Sequence, residues 1–205
     1  IGYVDRAVAY ARREDVVVAS FGDMLRVPGS SSSLLREQAL RAQVRVVYSP
    51  LDAVALAEKQ PDKLVVFLGI GFETTAPTVA GAMLEAKRRK LDNFLVFCAH
   101  KTMPAPMAVL SADPGLKRDG YICPPHVRAV IGSDAYQPLA EQYRVPCVVT
   151  GFEPLDVLRG VQMLSRQVVQ GRSEVENEYQ RAVKPGGNLK ARQLLAEVFE
   201  PCDSL

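Results

Sequence analysis

Val16-Val17-Val18-Ala19-Ser20 is a short, unbroken apolar run rich in β-branched residues, the pattern of a strand buried on both faces. Similar runs return at Val44–Tyr48, Leu64–Leu68, Phe94–Phe97, Tyr121–Cys123 and Cys147–Val149. Between them, apolar residues fall at helical spacing. The first such stretch, 3–13, puts Val4, Ala7, Val8 and Ala11 on one face. Others cover 33–42, 51–60, 76–90, 104–112, 126–131, 134–143 and 154–170, with a last helix over 189–199. Strand and helix alternate nearly throughout, which predicts an α/β fold of Rossmann-like parallel sheets with helices on both faces.

The chain also echoes itself. Ser49-Pro50-Leu51-Asp52 follows one strand and Glu153-Pro154-Leu155-Asp156 another. In both, Pro takes the first turn of a helix and Asp lies near its unpaired N–H groups. Convergent helix-start chemistry accounts for so short a repeat, but it also fits two similar modules. A boundary near Gln60-Pro61-Asp62 gives 1–62 as the remainder of a first module and 63–172 as a second. Residues 173–205 then form a returning segment with a terminal helix, since Gly171–Glu178 is polar and Lys184-Pro185-Gly186-Gly187 reads as a turn.

Composition excludes several function classes. A net charge of +2 over 205 residues gives no basic field for nucleic acid. Lys87-Arg88-Arg89-Lys90 falls where a helix should end, so these cations complement its dipole and face solvent. No apolar stretch approaches the roughly 20 residues needed to span a bilayer. Cys98, Cys123, Cys147 and Cys202 are widely spaced without a C-x-x-C pair, and the first three lie in or beside apolar runs. Buried, reduced thiols and a cytoplasmic location are therefore expected. The chain opens on Ile1, directly in a helical pattern, as though cut from something longer.

Ligands of parallel α/β sheets bind at the carboxyl ends of the strands. Those ends carry Phe21–Gly29 with Asp23 and Arg26, Gly69–Thr75 with Glu73, Cys98–Pro104 with His100, Pro124-Pro125-His126, and Thr150–Pro154 with Glu153. Acids, both histidines and hydroxyls thus gather at strand ends. Each has a blander reading too. Thr74 or Thr75 can cap the next helix, and Glu73 and Glu153 can be surface acids near a dipole. The histidines can be structural, and Asp23 can pair with Arg26. Gly69-Ile70-Gly71 fails as a dinucleotide fingerprint, because Thr74 stands where a third small residue is needed and the next strand ends in Ala99-His100. No phosphate loop or nucleophile elbow occurs.

Gly71-Phe72-Glu73-Thr74-Thr75 is similar to the G-F-E-T-T signature of the HypD family of hydrogenase-maturation proteins. Phe21–Gly29 resembles that family's F-G-D-x-x-R-V-P-G segment. Tyr48–Ala53 and Gly151–Asp156 match two more, with His126-Val127, Ile131-Gly132 and Tyr136 fitting between. The resemblance runs in order from Ile1 to about Phe199. It implies an internal part of a scaffold that assembles the Fe(CN)₂CO group of nickel–iron hydrogenase. Its partners would be the small chaperone HypC and the cyanide supplier HypE, with neither nucleic acid nor membrane involved. It further implies two α/β domains facing a cleft and a C-terminal [4Fe–4S] domain. The family's cysteine motifs, C-G-G-H-T-H and G-P-G-C-P-V-C, are absent from this sequence, so neither cluster nor iron is expected on this stretch alone.

The resemblance assigns the iron-ligand or partner environment to Asp23, Arg26, Gly71, Phe72, Glu73, Thr74, Thr75, His100, His126, Gly151, Phe152 and Glu153. One departure weakens His126: the family commonly has P-G-H-V-S where this chain has Pro124-Pro125-His126-Val127-Arg128. The expectation is a maturation scaffold more than a classical enzyme. The alternatives are a nucleotide-dependent α/β transferase or ligase using the same loops, and a pure docking surface.

Overall fold

A computed structural model describes residues 2–202. Strands β1 (Val16–Ser20), β2 (Val44–Val46), β3 (Leu64–Gly71) and β4 (Phe94–His100) form one sheet in the order β2-β1-β3-β4. All its pairings are parallel, with Val16 opposite Leu64 and Val65 opposite Phe94. Strands β5 (Tyr121–Cys123), β6 (Cys147–Val149) and β7 (Val175–Asn177) make a second parallel sheet in the order β5-β6-β7. The expected α/β architecture of two parallel-sheet modules is the one observed.

The apolar run at Val16–Ser20 is buried at every position because β1 is an interior strand covered on both faces. Val17, Ala19, Val65 and Phe67 face helices α3 (Pro50–Lys59) and α4 (Ala76–Arg88) through Ala53, Val54, Ala57, Val79 and Ala82. Val16, Val18, Val66 and Leu68 face α1 (Gly2–Ala11) and α2 (Leu34–Ala39) through Val4, Ala7, Val8, Ala11 and Leu34. Period-two alternation thus divides one strand between two cores.

Helix α3 starts on a capping box. Ser49 Oγ accepts from the Leu51 amide, and Asp52 Oδ2 accepts from the amides of Tyr48 and Ser49. Helix α4 ends as expected: Arg88 and Arg89 reach back to Glu85, and Arg89 also reaches Glu58.

Beyond β4 come α5 (Pro104–Ala112), α6 (Pro125–Ile131), a 3₁₀ turn at Ser133–Tyr136, α7 (Gln137–Gln142), α8 (Pro154–Val169) and α9 (Leu189–Val198). Among the described residues no helix is long and apolar enough to cross a membrane.

The chain divides into two compact units, but not at Gln60–Asp62. The first holds Ile1–Gly71, Thr75–His100 and Glu197–Leu205; the second holds Phe72–Thr74 and Lys101–Ala196. The reason is the backbone ladder: β3 pairs with β1 and β4 with β3, so both strands belong to the first sheet. The turn at Gln60–Asp62 merely joins α3 to β3. Residues 173–196 likewise stay in the second unit, because β7 within the stretch read as a polar linker pairs with β6.

Candidate functional site

In the first unit the carboxyl ends of β1, β3 and β4 carry Asp23, Arg26, Gly69, Gly71, Cys98 and His100. The β1 loop turns through a 3₁₀ segment, Gly22–Arg26. Both Asp23 and Arg26 are exposed. They do not pair with one another as the sequence allowed: Asp23 Oδ1 accepts from the Met24 amide instead.

Gly69-Ile70-Gly71 acquires a physical reason once β4 is beside it. A Cβ on Gly69 would lie 2.8 Å from Val96 Cγ1 and 3.0 Å from His100 Cε1, so the glycine makes room for the imidazole. Gly71 has φ +134° and lies against Thr75 Oγ1. Thr75 occupies the N-cap position of α4, yet its hydroxyl donates to the Ile70 carbonyl oxygen at 3.3 Å rather than capping the helix.

Cys98 corrects the expectation of a buried thiol. It is exposed, because β4 is an edge strand and its outer half is open. Residues two apart share a strand face, which puts its Sγ 3.4 Å from His100 Nδ1. Burial holds the imidazole below the usual histidine range. His100 Nε2 is buried with no hydrogen-bond partner among the described residues, and the ring meets Phe199 edge-on at 5.6 Å.

The second unit arranges its polar groups differently. Glu73, expected as a possible surface acid, is 7% exposed. Its Oε1 accepts from the Met103 amide at 2.9 Å, while Oε2 is buried without a partner among the described residues. A half-satisfied carboxylate is costly to bury, so its free oxygen is primed for an incoming donor.

Further into the same unit lies Arg128, the residue that departs from the family pattern. It is fully buried, its guanidinium 3.4 Å over the Tyr136 ring and its Nη1 donating to the Ser133 carbonyl at 2.7 Å. Nε, Nη2 and the Tyr136 hydroxyl find no partner among the described residues. Burial, then the nearby Cys123, push the Tyr136 phenol up to about 12. Cys123 and Cys147, buried as expected, lie on adjacent strands. The Cys147 thiol donates to the Val145 carbonyl and the Cys123 thiol to that of Tyr121. The interaction of the two thiols, with Arg128 beside them, holds Cys123 below the usual thiol range and raises Cys147.

His126 and Phe152, both exposed, stack at 5.5 Å, so the second sheet brings the two predicted residues together. Glu153 is exposed, Gly151 buried. The neighbouring Asp156 takes a larger structural part than sequence suggested. Arg181 clasps it at 3.0 and 2.6 Å and holds its carboxyl below the usual range. Sequence reasoning missed Cys98, Arg128 and the Arg181 clasp. The spacing of Cys98 and His100 on one strand would have revealed the first; nothing local signals the other two.

Comparisons with known proteins bear on these residues as a set. The family profile HypD, described as "Hydrogenase formation hypA family", matches residues 1–205. A hydrogenase maturation factor HypD of Azotobacter vinelandii is 50% identical over 206 residues, covering 98% of this chain and 54% of that protein. The corresponding factor of Escherichia coli K12 is 46% identical over 199 residues, covering 97% and 53%. A putative hydrogenase expression/formation protein of Methanocaldococcus jannaschii is 44% identical over 200 residues, covering 98% and 55%. The chain spans about half the length of the curated relatives it matches.

Proposed function

The chain belongs to the HypD family, and from that premise we propose that it forms part of a scaffold on which the Fe(CN)₂CO group of nickel–iron hydrogenase is assembled. A role in hydrogenase maturation is what the family carries; the cargo, its partners HypC and HypE, and a cytoplasmic setting are the finer reading. The observation that supports it most is Glu73. Within the Gly71–Thr75 signature, a carboxylate is buried at a strand end with one oxygen bound to an amide and the other unpaired.

Chemically, an iron cargo bearing cyanide needs soft thiolates for capture and hydrogen-bond donors for its cyanide nitrogens. Thr74 and nearby backbone amides are the donors proposed here; the Thr75 hydroxyl already serves the Ile70 carbonyl. Glu73 would orient a partner's donor or take up a proton. Asp23, Arg26 and His100 in the first unit, and Phe72, His126, Gly151, Phe152 and Glu153 in the second, are further residues proposed to take part in this function.

The thiolates are not assigned to this stretch. A [4Fe–4S] cluster requires four cysteine ligands, and among the described residues no three metal-ligating side chains gather. Cys123 and Cys147 are buried in a core, each with its thiol on a backbone carbonyl. The residues present therefore do not fit the cluster, which is proposed for other parts of the longer family protein.

The test is complementation. A strain lacking its own family member receives the full-length protein carrying Glu73→Gln with Thr74→Val, and hydrogenase activity is assayed. Loss of activity at unchanged protein level is expected. Unimpaired maturation would remove both residues from the site.

A further inference from the structure

Cys98 has no part in the maturation reading, yet its thiol is in contact with the His100 imidazole at an open strand edge. We infer that they form a thiol–imidazole dyad that exchanges with low-molecular-weight disulfides, Cys98 being the nucleophile and His100 its base. Three observations carry this. Cys98 Sγ stands 3.4 Å from His100 Nδ1, within range of an S–H···N hydrogen bond. Cys98 is exposed and held in no disulfide. The imidazole is held in place by Gly69, whose missing side chain leaves its space, and by the edge of Phe199.

A nucleophilic cysteine needs a base within hydrogen-bond reach and an oriented ring behind it. Burial disfavours imidazolium, so His100 is neutral at neutral pH and free to accept a proton. With Nδ1 accepting, the ring proton sits on Nε2. Two phenols of α1 lie against this strand: Tyr10, whose ring meets Phe97 edge-on, and Tyr3, whose hydroxyl donates to the Phe97 carbonyl and stays protonated through burial first and the field of Cys98 second.

In the reaction, the Cys98 proton passes to His100 Nδ1 as the sulfur attacks one sulfur of the small disulfide. A new S–S bond forms, the old one breaks, and the departing thiolate takes the proton back from the imidazolium. Cys98 is oxidised to the mixed disulfide while the departing half is reduced to a thiol. No other oxidant is required.

The experiment follows coloured thiolate release from dithiobis-nitrobenzoate by the intact chain across pH. The other exposed thiol, Cys202, serves as internal reference, and Cys123 and Cys147 are buried. A fast phase is expected that Cys98→Ser removes and Cys202→Ser leaves. It should begin to rise below the ordinary thiol pKa of about 8.5. His100→Gln should slow it roughly 100-fold, the lower range for general-base assistance, and move its rise to that ordinary range. If Cys98 reacts no faster than Cys202, or His100→Gln leaves rate and profile unchanged, the dyad is refuted. Should His100→Gln fail to fold, the profile of the unmodified protein decides: a rise centred near 8.5 refutes it equally.

Discussion

The two units carry similar residue types in different states. In the first unit, Asp23, Arg26 and Cys98 are open to solvent; the Thr75 hydroxyl and His100 Nδ1 have partners close by, while Ser20 Oγ and His100 Nε2 are buried without one among the described residues. In the second unit, Glu73, Arg128 and Tyr136 are buried, and each keeps a polar atom unsatisfied among the described residues. The echoed tetrads repeat the contrast. Asp52 completes a capping box on its own helix, whereas Asp156 is buried and clasped by Arg181 from 25 residues away. Similar strand-end chemistry thus serves local folding in one unit and long-range assembly in the other. Among the described residues, the buried unpaired carboxylate and guanidinium atoms, on Glu73, Arg118, Arg128 and Glu178, all belong to the second unit.

This contrast can be broken most forcefully at Gly69. Gly69→Val must displace Val96 and the His100 ring, and overpacking of this kind costs about 1–3 kcal/mol. Chemical denaturation should show that loss, with Cys98 reactivity altered in parallel. Retained stability would mean that the β3–β4 contact is looser than described.

A pair of phenols gives a finer comparison. Tyr3 donates its hydroxyl to the Phe97 carbonyl at 2.6 Å and stacks on the Phe97 ring, so Tyr3→Phe should cost about 0.5–1.5 kcal/mol, the worth of one hydrogen bond. The Tyr136 hydroxyl is buried without a partner among the described residues. Removing it in Tyr136→Phe should be neutral or slightly stabilising, since an unmade hydrogen bond has nothing to lose. Equal costs at the two positions would show that Tyr136 has a partner after all.

How far the sequence spoke depended on whether burial was local or tertiary. The continuous apolar run at Val16–Ser20 announced an interior parallel strand, because neither face of such a strand can be polar. The strand-end positions followed from the same logic. By contrast β7, Val175-Glu176-Asn177, is a three-residue edge strand whose exposure permits polar side chains, so its composition resembles a linker. Cys98 was misread for the complementary reason: its neighbours are apolar, but an edge strand leaves one side uncovered. The unit boundary depended on which sheet β3 completes, and that pairing is not written in local spacing. Arg128 over Tyr136, and Arg181 on Asp156, join residues whose proximity exists only once the second sheet has formed.

The smallest expected effect concerns pH. Burial lowers the folded pKa of His100 below the unfolded value of about 6.5. Its neutral form therefore contributes stability that is complete above that value and is lost as pH falls through the folded pKa. Melting curves between neutral and mildly acidic pH should show a decline that His100→Gln reduces. The same decline in both proteins would place the titration elsewhere.

The central claim rests on the enclosed carboxylate of the second unit, and Glu73→Gln in the full-length protein tests it with least disturbance. Glutamine can keep the acceptor that Met103 uses while removing the charge. Hydrogenase activity in a complemented strain should fall by roughly tenfold or more, on the scale seen when groups supporting a metal centre are altered, with the melting temperature little changed. Full activity with Glu73→Gln at normal protein levels would contradict the account.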